Sequence, residues 1–67
     1  MLNSENAKKG NKVIVVMGYY EGRKGVIANV DITGVLVTLT DEKRNPADVE
    51  KGTRINFGRL ELDYVEK

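Results

Sequence analysis

The chain has no cysteine, no histidine and no tryptophan, and only one proline and one phenylalanine among its 67 residues. Each absence removes a class of chemistry. Without cysteine there is neither a disulfide framework nor a thiol nucleophile, and without histidine as well the usual zinc sites and imidazole acid–base catalysis are excluded. Lack of cysteine also fits a reducing compartment. No apolar run is long enough to span a membrane, and the segment Met1-Leu2-Asn3-Ser4-Glu5-Asn6-Ala7 is too polar for a signal peptide. The expectation is a soluble, cytoplasmic protein without membrane association. A chain this short has room for one core, with a modest stability margin.

Charge of one sign is also scarce overall, because the formal net charge is only +1. It is unevenly placed. Residues 1–30 carry five cations (Lys8, Lys9, Lys12, Arg23, Lys24) against two carboxylates, a local excess of +3, while residues 31–67 carry six cations against eight carboxylates. Nucleic-acid affinity comes largely from neutralising phosphates, so any such binding rests on a local patch rather than on bulk charge.

What is present is a succession of short apolar runs with turn signals between them. Lys12–Met17 reads as a first strand, Gly25–Val30 as a second and Val35–Thr40 as a third, with Val35, Val37 and Leu39 on one face. Asp31-Ile32-Thr33-Gly34 has the Asp and Gly of a hairpin turn. Thr53–Phe57 places Thr53, Ile55 and Phe57 on one face, and Leu60, Leu62 and Tyr64 alternate with Glu61 and Asp63 in a last strand. Within the long polar connection 41–51, Asn45-Pro46-Ala47-Asp48 reads as a helix start that Gly52 limits to about one turn. The expected core is Val13, Val15, Ile27, Val37, Leu39, Ile55, Leu60 and Leu62. Residues 1–9 read as a mobile N-terminal arm and 10–67 as a single domain. Five short strands without a long helix describe an all-β fold, a small and strongly bent barrel.

Between the first two strands lies Gly18-Tyr19-Tyr20-Glu21-Gly22-Arg23-Lys24-Gly25, in which Gly18, Gly22 and Gly25 supply positive-φ or close-approach positions. With Gly10 and Lys12 before it, Val13 and Val15 in the first strand and Ile27 in the second, this run resembles the KOW motif. That motif belongs to SH3-like barrels of ribosomal large-subunit proteins and transcription elongation factors. The resemblance implies a five-stranded SH3-like barrel, KOW/Tudor-like in form, and association with RNA or a ribonucleoprotein. Glu21 departs from the lysine that many such loops carry, and its carboxylate repels phosphate at that position.

Seven residues are candidates for a nucleic-acid or partner surface: Lys12, Tyr19, Tyr20, Arg23, Lys24, Arg54 and Arg59, with Gly18, Gly22 and Gly25 shaping the loop. An exposed tyrosine beside Arg23 and Lys24 suits base stacking with phosphate contacts. Alternatively Tyr20 folds over the barrel end as a lid, with Tyr19 an ordinary surface residue. Lys8, Lys9, Lys12, Arg23 and Lys24 either join in one patch or serve as scattered solubilising charge. Arg54 and Arg59 either extend the patch or pair with Glu61 and Asp63. No metal-ligand spacing, nucleophile–base pair or phosphate loop stands out, so neither catalysis nor a cofactor is expected. The expected function is a non-catalytic, monomeric module that binds RNA or a ribonucleoprotein. The alternative is a module docking on protein of the transcription or translation machinery.

Overall fold

The computed structural model describes residues 1–65; Glu66 and Lys67, the end of the domain expected over 10–67, lie outside the described residues. The chain is all-β, with strands β1 (Lys12–Val15), β2 (Lys24–Asp31), β3 (Gly34–Leu39), β4 (Arg54–Phe57) and β5 (Leu62–Val65), and one 3₁₀ turn, Arg59–Glu61. All pairings are antiparallel, in a single sheet of order β4-β3-β2-β1-β5. Among the described residues β4 and β5 remain its two edges, so the sheet is bent but not closed.

The bend follows from where the apolar side chains point. Val13 and Val15 of β1, Ile27 of β2, Val35, Val37 and Leu39 of β3, Phe57 of β4 and Leu62 of β5 share one face and are all buried. Among the described residues no second layer covers that face, so the sheet curls around it and the opposite face becomes the convex outside. A bulge in β2 keeps the pattern in phase: Ile27 pairs with Val37 but Asn29 pairs with Leu36, so Ala28 is the extra residue. The inward positions therefore shift from Gly25 and Ile27 to Val30, which lies opposite the buried Val35 and packs on the core. Without the bulge Asn29 would face inward.

Three sequence expectations are corrected. Residues 1–9 are not a detached arm, because Leu2 and Ala7 belong to the buried core. The Leu2 amide donates to the Arg59 carbonyl at 3.1 Å, and the Gly10 amide to Ile27 at 2.8 Å. Leu60 is exposed rather than buried, since Gly58 to Glu61 form a turn closed by a 2.8 Å bond from the Gly58 amide to Glu61 Oε1. The last strand starts only at Leu62. Asn45 starts no helix; its side chain accepts from the Ala47 amide at 2.9 Å in an Asx turn, and its carbonyl accepts from Asp48. Of the remaining expected core, Ile55 is half-buried against the cluster and the other six residues are fully buried.

Gly25 is fixed by close approach. A Cβ there would lie 2.5 Å from Val37 Cγ1 and 2.6 Å from the Thr38 carbonyl oxygen of the paired strand. The strand cannot accommodate a methyl without separating β2 from β3. Gly25→Ala is expected to destabilise the domain by about 1–3 kcal/mol, the range for overpacking a well-filled site. Urea denaturation checks it, and an unchanged midpoint would contradict the packing described.

Candidate nucleic-acid interface

The loop between β1 and β2 is tied down by its own backbone. The Gly22 amide donates to Val15 O at 2.8 Å, the Val15 amide to Arg23 O at 2.8 Å, and the Arg23 amide to Tyr20 O at 3.0 Å. Gly22 takes φ +95°, which a residue with a side chain rarely adopts. These bonds set the phase in which the chain enters β2. Arg23 falls on the inward side with Gly25 and Ile27, and Lys24 on the outward side.

Arg23 is therefore a correction to the sequence-based surface. Its side chain is 0% exposed and enters a polar socket built by the 41–51 connection. Nε donates to Asp41 Oδ1 at 2.7 Å, Nη2 to the Asp41 carbonyl at 2.9 Å, and Nη1 to Asp48 Oδ2 at 3.0 Å and the Val49 carbonyl at 2.8 Å. Four of the five guanidinium N–H donors are taken by these acceptors and the side chain is buried, so Arg23 is not offered to an external phosphate. Burial alone would lower the Arg23 pKa, but the hydrogen bond it donates to Asp41 and the charges of Asp41 and Asp48 raise it. The ion stays charged inside the fold because the socket replaces its hydration.

A second guanidinium closes the socket from outside. Arg44 donates through Nε to Asp48 Oδ2 at 2.8 Å and through its amide to the same oxygen at 3.0 Å. Its Nη atoms donate to the carbonyls of Glu21 and Tyr19. Arg44 thus links the two loops, and the sequence reading did not single it out. Asp48 receives Arg44, Arg23 and the Val49 amide, and these partners, Arg44 foremost, hold its carboxyl far below the ordinary range. Asp41 also accepts from the Lys24 amide at 3.1 Å, fixing the first residue of β2.

The other candidates divide between two places. Tyr20 is half-buried and packs on the core, its ring edge-on to Phe57 with centroids 6.1 Å apart. It covers the core at this end of the bent sheet. Tyr19 is 72% exposed and stands edge-on to Tyr20 at 4.9 Å, so Tyr20 orients a ring that faces solvent. Lys12, Lys24 and Arg54 are exposed on the convex sheet face. The registers place Lys12 opposite Val26, Val26 opposite Thr38 and Thr38 opposite Arg54, so Lys12 and Arg54 stand on one cross-strand row, which continues past Lys12 to Val65 of β5. Lys24 lies opposite Ile14, one step along the same face. Asp63, opposite Ile14 on the other side, is paired with the N-terminal ammonium. Arg59 is exposed but sits in the 3₁₀ turn, off this row, and it has no ion pair with Glu61 or Asp63 among the described residues. Lys8 and Lys9 are exposed on the packed N-terminal segment.

Comparison with family models, with curated proteins and with solved structures finds no match to this chain.

The socket makes two expectations that the exposed cations do not share. Arg23→Ala leaves two carboxylates without their buried counter-ion and should cost about 3–5 kcal/mol of stability, whereas Lys24→Ala should fall within about 0.5 kcal/mol of the parent. Equilibrium denaturation distinguishes them, and equal effects would contradict the assignment. Asp48 binds its proton less readily when folded than when unfolded, so its stabilising contribution is complete above its ordinary pKa of about 3.9 and is lost as pH falls. The melting temperature should drop on acidification below about pH 4 to 5. Asp48→Asn should be less stable at neutral pH and flatter in that acid limb; an acid limb as steep as the parent's would count against the pairing.

Proposed function

We propose that this domain is a non-catalytic binding module that associates with RNA or a ribonucleoprotein, resembling KOW-type SH3-like barrels in that role. The observation that carries the reading is the convex sheet face, where Lys12, Lys24 and Arg54 project from three different strands with no carboxylate between them among the described residues. Distributed cations on a rigid sheet are suited to the phosphate backbone, which supplies most of the affinity in such complexes. The exposed Tyr19 ring adds a surface on which an unpaired base can stack. Arg23, Arg44 and Tyr20 contribute by holding the Tyr19 loop, not by touching the ligand. Compared with a loop-centred KOW surface, the phosphate contacts move from the loop to the sheet.

Docking on protein of a large assembly is the second reading, and Ile32 favours it. This residue is fully exposed at the tip of the β2–β3 hairpin. The turn around it is fixed by Asp31 Oδ1, which accepts from the Thr33 amide at 2.8 Å and from its hydroxyl at 2.5 Å. A preorganised apolar tip is a suitable anchor for a pocket on a partner.

Fluorescence anisotropy with a labelled mixed-sequence RNA tests the first reading. The variant Lys12→Glu/Lys24→Glu/Arg54→Glu is expected to lose binding more than tenfold while its melting temperature stays near that of the parent. Tyr19→Ala should weaken binding by about 1–3 kcal/mol if the ring stacks on a base. Undiminished RNA binding by the triple variant would refute the surface. Absence of RNA binding by the parent would favour docking through Ile32, for which Ile32→Asp should abolish association with purified ribosomes or RNA polymerase.

A further inference from the structure

We infer that the nucleic acid this face takes is single-stranded, and that its backbone runs across the strands from β1 toward β4 in contact with three phosphates. The inference rests on the nucleic-acid reading above and adds the form of the ligand, its path and its contact number.

Path comes from register. Adjacent strands lie about 4.8 Å apart, so the row Lys12–Val26–Thr38–Arg54 spans roughly 14 Å from β1 to β4, and Lys24 projects between its ends one step to the side. The three cations thus form a broad, shallow triangle whose long side lies across the sheet. Along the strand direction the face offers no comparable line, because each of β1, β2 and β4 contributes a single outward cation within its strand bounds. Between the charges lie Val26 and Thr38, with Ile14 beside Lys24, all three half-buried, and their methyl groups make a low apolar floor for sugars and base faces.

Form comes from shape. The concave side of the sheet is filled by the core, so the cations stand on the convex side. A duplex is itself a stiff convex cylinder, and two convex bodies touch over a small area. Such a contact would bring one or two of the cations to phosphate at a time. A flexible single strand can follow the curvature and meet all three. The exposed Tyr19 ring is useful only to unpaired bases, which agrees with the same choice.

Contact number gives the test. A single strand that releases counter-ions at three phosphates has a slope of about −2 for log K against log salt concentration, about a fifteenfold loss of affinity between 50 and 200 mM salt. The probes are a labelled 12-nucleotide mixed-sequence RNA and a 12-base-pair RNA hairpin, measured by anisotropy over that salt range. The expected result is tighter binding of the single strand with that slope. Each of Lys12→Gln, Lys24→Gln and Arg54→Gln should make the slope shallower by about 0.7, and Arg59→Gln should leave it unchanged. Melting curves of each variant, expected to match the parent, exclude misfolding as the cause. Equal or tighter binding of the hairpin, or slopes indifferent to the three substitutions, would overturn the inference while leaving nucleic-acid association intact. Failure of the parent to bind either probe would remove the nucleic-acid reading and this inference together.

Discussion

The burial of one guanidinium organises this domain. Arg23 lies at the junction of the β1–β2 loop and β2, and its four hydrogen bonds reach Asp41, Asp48 and Val49 in a connection 18 to 26 residues further along the chain. Taking an ion out of water is costly, and the cost is offset only if every donor finds an acceptor in good geometry. That condition forces the 41–51 connection into one conformation without regular secondary structure of its own. Arg44 then extends the constraint outward to the Tyr19 and Glu21 carbonyls, so two loops that could have been independent are held as one unit.

For a domain of this size such a clamp has consequences beyond its own energy. Among the described residues the buried apolar core has ten members, eight of them on one face of a single sheet, and its end needs a cover. Tyr20 supplies it, against Phe57, because the loop that carries it is fixed at both ends by the backbone bonds to Val15 and by Arg44. The same fixation leaves Tyr19 outside. Packing of the N-terminal segment, through Leu2 and Ala7, completes the core from the other side.

Much of the fold was legible in the sequence, and the exceptions have physical causes. The period-2 pattern of Val35, Val37 and Leu39 located β3 and its inward face, and Asp31 and Gly34 located the hairpin, because alternation and turn chemistry are local properties. The bulge at Ala28 was not legible, since it is a relation between β2 and β3 rather than a feature of either. Leu2 was missed because one apolar residue in a polar segment has no period, and Leu60 misled because the same alternation ran through a turn. Arg23 reads as a surface cation in the sequence because its neighbours form a basic, aromatic loop. Its position two and four residues before Gly25 and Ile27 carried the opposite signal, inward parity. That parity, together with two aspartates in the following long connection, was the available indication of a buried ion. The outward cations Lys12 and Lys24 stand out in the sequence beside the glycine loop, and Arg54 near the last turn, but that they share a face is a property of the register.

Structure and proposed role separate along the same line. Inward charge, in Arg23, shapes the loop, and outward charge, in Lys12, Lys24 and Arg54, is free to meet a ligand. The most direct test of that division is to follow the arginine Nε–H signals of isotopically labelled protein during addition of single-stranded RNA. The account predicts that the Arg54 signal shifts with RNA while the Arg23 signal stays in place and exchanges slowly with solvent. An Arg23 signal that exchanges rapidly and moves with RNA would contradict it.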